Sequence, residues 1–74
     1  MKIAINHGFL TEHMKKHDIK SYRQMAKLIG ISHSTLSRTL RRERNPGQLV
    51  IRKMLIYFKQ YQEPFDRIFV LVDD

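Results

Sequence analysis

The chain of 74 residues contains no cysteine. This absence excludes disulfide bonds and metal sites built on thiolates, and it leaves the redox compartment undetermined. A chain of this length buries only about 60% of the surface that its unfolded form exposes. The sequence therefore predicts one small domain, residues 1–74, that is stabilised by apolar packing, either within the chain alone or shared with a second subunit.

The chain also lacks an apolar run long enough to span a bilayer. Residues 1–6 do not show the apolar stretch and small-residue cleavage site of a secretion signal. We therefore expect a cytoplasmic protein with no membrane partner. No linker, low-complexity tract or repeat divides the sequence, and its strong breaks are Gly30, Asn45-Pro46-Gly47 and Pro64.

Acidic residues are scarce and unevenly placed. The chain has 14 Lys and Arg against 7 Asp and Glu, and residues 1–62 hold thirteen of the basic and three of the acidic residues. Residues 63–74 hold one basic and four acidic residues, so a polyanion would meet the body of the protein and not its tail. This bias favours nucleic acid or an anionic membrane surface as partner, and charge alone does not choose between them.

Three helices are predicted before residue 42. Leu10, His13, Met14 and His17 recur at helical spacing, which predicts a first helix over about His7 to His17. A second helix begins at Ser21, where Gln24 completes a capping-box pattern, and ends at Gly30, which can adopt a left-handed conformation without steric cost. Its inner face is Met25, Ala26 and Ile29, and Ser32 is the predicted N-cap of a third helix that extends to about Arg41.

A fourth helix is predicted over residues 46–62. Asn45 is the expected N-cap, Pro46 the first helical residue, and Pro64 marks the end because proline disfavours helical conformation in the residue before it. Leu49 and Ile56 fall among the charged residues of this helix. They are either isolated exposed apolar residues or part of a contact with a second subunit or with the chain's own tail.

The tail, residues 65–74, contains the β-branched apolar run Ile68 to Val72, which predicts a buried strand. Lys2 to Ile5 is its candidate partner, and such a ribbon must pack on the helices or cross a dimer axis. Together these patterns predict a mainly α fold of about four helices with a short C-terminal strand. The predicted dimer-interface residues are Leu49, Ile56, Phe69 and Leu71.

The third helix carries a polar ridge. Ser34, Ser37, Arg38 and Arg41 are spaced so that they lie on one face together with His33, whereas Leu36 and Thr39 lie on the other. The major groove of B-DNA admits one α-helix, small serines permit close approach, and an arginine can bond guanine O6 and N7 together. We therefore expect this ridge to read base edges, with Arg38 as the principal reading residue.

Arginines flank the ridge. Arg41, Arg42 and Arg44 extend the positive surface beyond the third helix, where they could bind phosphates, which position a protein without reading sequence. Arg23 lies near the N-terminus of the second helix and is expected to bind the opposite flank.

At this point the sequence resembles the helix-turn-helix domains of the Cro and phage-repressor (XRE-like) superfamily. The resemblance covers about residues 21–46 and is carried by Ala26, Gly30-Ile31-Ser32, Ser34-Thr35-Leu36-Ser37-Arg38 and Arg44-Asn45-Pro46. It implies a lambda-repressor-like bundle that binds operator DNA as a dimer, with a helix-turn-helix core at residues 21–44. The expected DNA-contacting residues are then Arg23, Ser32, His33, Ser34, Thr35, Ser37, Arg38, Arg41, Arg42 and Arg44.

The sequence departs from the family pattern at Tyr22, where glutamine is common, and at Thr39, where an aliphatic residue is usual. Tyr22 puts in doubt any phosphate contact by the start of the second helix. Thr39 can still direct its methyl group inward while its hydroxyl bonds a carbonyl one turn back.

The sequence gives less support to functions other than DNA binding. His13 and His17 lie one turn apart but lack a third ligand nearby, and no nucleophile, base and orienting group combine, so no metal, cofactor or enzymatic activity is expected.

The leading hypothesis is a sequence-specific repressor of phage or plasmid type that binds double-stranded DNA as a homodimer. The alternatives are a protein-interaction module, such as an antirepressor or recruitment factor acting through helix 46–62 or the tail, and DNA binding in antitoxin autoregulation, excision or segregation.

Overall fold

The computed structural model describes residues 2–73. Its elements, in chain order, are β1 (Lys2–Ile5), α1 (His7–Lys16), α2 (Tyr22–Ile29), α3 (His33–Leu40), α4 (Gln48–Lys59), α5 (Phe65–Ile68) and β2 (Phe69–Val72). The mainly helical fold with a terminal strand is confirmed, and the one-turn helix α5 is an addition to it. Met1 and Asp74, the ends of the predicted domain and tail, lie outside the described residues.

The starts of the first three helices are set by side-chain caps. Asn6 Oδ1, Ser21 Oγ and Ser32 Oγ each accept a hydrogen bond from the backbone N–H three residues later. The cap at Ser21 is the predicted one, but Gln24 Oε1 accepts from the backbone N–H of Lys20, 3.0 Å away. The side chain of Gln24 therefore bonds the backbone N–H of the residue before the cap, and not that of Ser21 as in the predicted capping box.

Residues in left-handed conformation end four helices. Gly30 has a φ of 95°, as predicted, whereas Asp18, Arg42 and Gln62 adopt φ values of 56°, 62° and 57°. After each of these three, the next backbone N–H bonds a carbonyl five residues back, as in a Schellman motif. A non-glycine residue costs about 1–2 kcal/mol in this conformation, which these bonds offset.

The predicted bounds of the fourth helix, residues 46–62, are wrong at both ends. The N-cap is Gly47, which offers no side-chain cap, and the first helical residue is Gln48. Pro46 is buried, so it anchors the loop in the core instead of starting the helix. The left-handed Gln62 ends the helix before Pro64, and Pro64 instead precedes α5.

The core draws on every helix. The side chains of Leu10, Met25, Leu36, Met54, Phe58 and Ile68 are fully buried and belong to one cluster. This packing confirms the predicted inner faces of α2 and α3. In α1 it confirms Leu10 and His13, whereas His17 lies past the end of the helix and is exposed. No described helix has the length and apolar character needed to cross a membrane.

The two strands form an antiparallel ribbon in which Lys2 pairs with Val72 and Ile5 with Phe69. This confirms the strand pairing expected from the apolar run. Phe69 is only 2% exposed within the protomer, so its assignment to a dimer interface is wrong, because the side chain fills the core. Leu71, two residues further along the same face of the strand, is exposed because it lies beyond the edge of the core.

His13 connects α1 to α4. Its side chain is buried, and its Nε2 lies 2.8 Å from the hydroxyl oxygen of Tyr57. Burial raises the pKa of Tyr57 well above its usual value. Burial also lowers the pKa of His13 below 6.5, helped by the charges of His17 and Lys16 and opposed by that of Glu63.

Stability is therefore expected to decrease as the pH falls below about 6.5. The unfolded chain takes up a proton at the ordinary histidine pKa, whereas folded His13 takes it up only at lower pH, so acid favours unfolding. Above that pH both states hold neutral His13 and its contribution is constant. Urea unfolding from about pH 7.5 to about pH 5 measures the effect, and an equal pH dependence in His13→Gln would contradict it.

Gly30→Ala is expected to lower the free energy of unfolding by about 1–2 kcal/mol, because an L side chain is strained at a φ of 95°. Gly8→Ala is the matched control: Gly8 is helical, and an added Cβ would meet only Asn6 Oδ1 at 3.7 Å. That variant should gain about 0.5 kcal/mol from helix propensity. Denaturant titration compares the two, and a loss of equal size in both would contradict the assigned strain.

Candidate nucleic-acid interface

The turn between α2 and α3 sets the direction in which α3 leaves the core. The backbone N–H groups of Gly30 and Ile31 both bond the carbonyl of Ala26, at 2.8 and 3.0 Å. Ile31 is half-buried against the core, and Ser32 then begins α3. The chain therefore changes direction within three residues, and α3 packs against α2.

The inner face of α3 holds it to the protein. Leu36 and Thr39 are 0% and 1% exposed, and Leu40 lies half-buried at the edge, as the sequence predicts. The Thr39 hydroxyl donates to the carbonyl of Thr35 at 2.7 Å, so this buried polar group is satisfied. The departure from the family pattern at Thr39 therefore carries no unsatisfied hydrogen bond.

The outer face of α3 is free within the protomer. His33, Ser34 and Arg38 are exposed, whereas Ser37 and Thr35 are half-buried. The hydroxyl oxygen of Thr35 accepts a hydrogen bond from Ser32 Oγ at 2.7 Å, and the backbone N–H of Thr35 donates to the same Ser32 oxygen. The structure thus brings the predicted ridge together, with His33, Ser34, Arg38 and Arg41 exposed and Ser37 half-buried, while Ser32 and Thr35 form the helix cap.

The arginines beyond α3 differ in their surroundings. Arg41 Nε lies 3.0 Å from Glu43 Oε2 in a surface ion pair, so a phosphate would compete with Glu43 for it. Arg42 and Arg44 are exposed and line a small cleft at the end of α3. Sequence reasoning did not predict Glu43 as a competitor, although its place two residues after Arg41 was a readable signal.

The opposite flank is the start of α2. Arg23 is exposed in the first turn, next to the cap Ser21. Tyr22 is half-buried, and its hydroxyl lies 3.0 Å from His7 Nε2, which ties α2 to α1. Tyr22 therefore has a structural contact at the position where the family often has glutamine.

His13 and His17 have ring centroids 4.4 Å apart. Within residues 2–73, no group of three or more His, Cys, Asp or Glu side chains is arranged to hold a metal ion. Tyr57, Phe58 and Tyr61 surround the His13 ring, so the pair belongs to an aromatic cluster.

A capped helix, a left-handed glycine turn and a second helix with a free polar face define a helix-turn-helix unit, a class of DNA-binding domain. The chain belongs to this family, in its XRE/Cro-like branch, and the family profile matches residues 14–61. The chain is similar to a Bacillus subtilis (strain 168) protein named as an uncharacterized HTH-type transcriptional regulator, YvzC. The two are 51% identical over 57 residues, which cover 77% of this chain and 73% of that protein. No solved structure matches the chain significantly.

Proposed function

We propose that the protein is a sequence-specific transcription regulator, a repressor of phage or plasmid type, that binds a two-fold DNA operator as a homodimer. In this proposal α3 enters the major groove and reads base edges. The name of the Bacillus subtilis relative supports a role in transcription. The observation that carries the proposal is the division of α3 into a buried face, Leu36 and Thr39, and an exposed polar face, Ser34 and Arg38.

Arg38 is the proposed base-reading residue. It lies one turn after Ser34, whose small side chain lets the helix backbone approach the floor of the groove. A guanidinium can donate two parallel hydrogen bonds to guanine O6 and N7, which no other base pair accepts in the same geometry. Arg38 therefore provides direct readout, with His33 and Ser37 at the margins of the same face.

The other arginines are proposed to bind the backbone. Arg42 and Arg44 lie past the end of α3, and Arg23 lies at the start of α2, so the two groups flank the reading face. Arg41 joins them when phosphate displaces Glu43. These contacts would set the register of α3 on the duplex and make binding depend strongly on salt.

Arg38→Ala should weaken binding to the preferred duplex by about 1–3 kcal/mol and relax the preference at one base pair, because one bidentate contact is lost. Selection of bound duplexes from a random pool, at two salt concentrations, identifies the operator and measures the change. The recovered site should be palindromic if the protein binds as a two-fold dimer.

Arg42→Ala is the matched control, since it removes the same charge from a backbone-binding position. It should weaken all duplexes by the same factor and flatten the salt dependence, leaving base preference intact. Equal loss of base preference in both variants would contradict the separate roles of Arg38 and Arg42.

The α4 surface is the proposed dimer contact. Leu49 and Ile56 are 55% and 64% exposed, and half-buried Ile51 and Leu55 complete a shallow apolar surface around Arg52. The same exposure supports the second candidate function, in which α4 holds another protein and the helix-turn-helix unit serves as a scaffold. The oligomeric state separates the two.

Ile56→Asp should convert the dimer to a monomer, because a carboxylate would be buried in an apolar contact. Leu28→Asp is the control, since Leu28 is 51% exposed on α2, outside the proposed contact. Sedimentation equilibrium, with and without the operator, measures the change. A wild-type protein that stays monomeric in both conditions would refute the dimer and favour the protein-interaction module.

A further inference from the structure

Two apolar surfaces stay exposed on the described part of the protomer. The first is the α4 surface, a shallow groove of about 530 Å³ around Arg52. The second, which we call the tail surface, is a groove of about 500 Å³ on α5 and the ribbon. It is lined by Ile3, Phe65, Asp66, Phe69, Val70 and Leu71. Phe65 and Leu71 are 43% and 66% exposed, so the two surfaces do not cover each other within one protomer.

The two surfaces carry opposite charges. Among residues 2–73, Arg52 is the one charged residue that lines the α4 surface, and Asp66 is the one that lines the tail surface. Lys2 and Arg67, the cations closest to the tail surface in sequence, line other cavities. The guanidinium of Arg67 lies over the ring of Phe9, 5.8 Å from its centroid. The tail surface is thus apolar with one carboxylate, and the α4 surface is apolar with one guanidinium.

This charge disfavours a contact of the α4 surface with its own copy. Residues 48–59 include three basic residues, Arg52, Lys53 and Lys59, and no acidic residue. A two-fold axis through α4 would place the cations of both copies beside each other, with no carboxylate of α4 to balance them. Like charges that face each other across an interface oppose association. The α4 surface therefore fits an apolar and acidic partner, which is the character of the tail surface.

The two surfaces border the same loop. Val72 at the end of the ribbon and Asn45 line one small cleft, and Gln48 begins α4 three residues after Asn45. Ile3 lines both this cleft and the tail surface. The surfaces are therefore neighbours across the α3–α4 loop, and a two-fold axis near this loop can bring each of them onto the other surface of a second copy.

We propose that the α4 surface of one copy binds the tail surface of a second copy, with Arg52 facing Asp66 of the partner subunit, and that this contact occurs twice about the two-fold axis. Neither surface includes a residue of α3, so the polar face of α3 stays open to DNA. The inference deepens the proposed function, because it rests on the proposed homodimer. The contact buries four of the six large apolar side chains that are exposed in residues 2–73, namely Leu49, Ile56, Phe65 and Leu71.

Charge reversal in the full chain tests this pairing. Arg52→Glu and Asp66→Arg should each raise the dimer dissociation constant by about tenfold or more, because each variant alone puts like charges face to face in both copies of the contact. An equimolar mixture of the two variants should form a heterodimer with a dissociation constant within about threefold of the wild-type value, because both copies of the contact then regain opposite charges. Sedimentation equilibrium, with and without the selected operator, measures these constants.

Glu12→Arg and Lys27→Glu are the matched controls, since they make the same two changes in net charge at exposed positions on α1 and α2, outside both surfaces. Both should dimerise as the wild type does. An unchanged dissociation constant in Asp66→Arg, or losses in folded variants that mixing does not restore, would overturn the reciprocal contact while the proposed dimer still stands. A wild-type protein that is monomeric with and without the operator would refute the homodimer itself and this contact with it, so the two failures are distinguishable.

Discussion

The left-handed turn at Gly30 is the constraint on which the proposed DNA-binding surface depends. It redirects the chain within three residues, so that Leu36 and Thr39 of α3 pack inward while Ser34 and Arg38 are exposed. The Lys53 side chain of α4 lies 3.6 Å from the point where a Cβ at Gly30 would be, so α4 also contacts the turn. A different φ here would rotate α3 and bury or redirect its polar face.

The backbone is strained at the end of α3. Arg42 occupies a left-handed conformation that glycine would adopt at lower cost, but glycine would not carry the charge that the proposed phosphate contact needs. The neighbouring Arg41 is paired with Glu43, which moderates the positive field at the same flank. The segment proposed to contact phosphates thus contains both the strained Arg42 and the Arg41–Glu43 ion pair. The uncharged inner face of α3 supplies the packing that holds the helix-turn-helix unit together.

Much of the local structure could be predicted from short stretches of sequence. Ser21, Gly30 and Ser32 act as predicted, because caps and left-handed turns depend on neighbouring residues. The start of α4 could not be read in this way: Asn45 and Pro46 form a standard capping pattern, but burial of Pro46 prevails over it. Phe69 was also misassigned, since a strand pattern does not show how far along the strand the core extends: Phe69 is buried, whereas Leu71 on the same face is exposed.

The sequence by itself determined the helix-turn-helix unit, its polar ridge and the two terminal strands. Each follows from periodicity, capping or β-propensity within a few residues, where the geometry of the backbone leaves few choices. The tertiary structure alone decided that the ribbon packs beside α3, that His13 meets Tyr57, and that Lys2 shares a cleft with Arg42. These contacts join residues far apart in the sequence, 44 positions in the case of His13 and Tyr57. They follow from how apolar faces pack together, which no local pattern encodes.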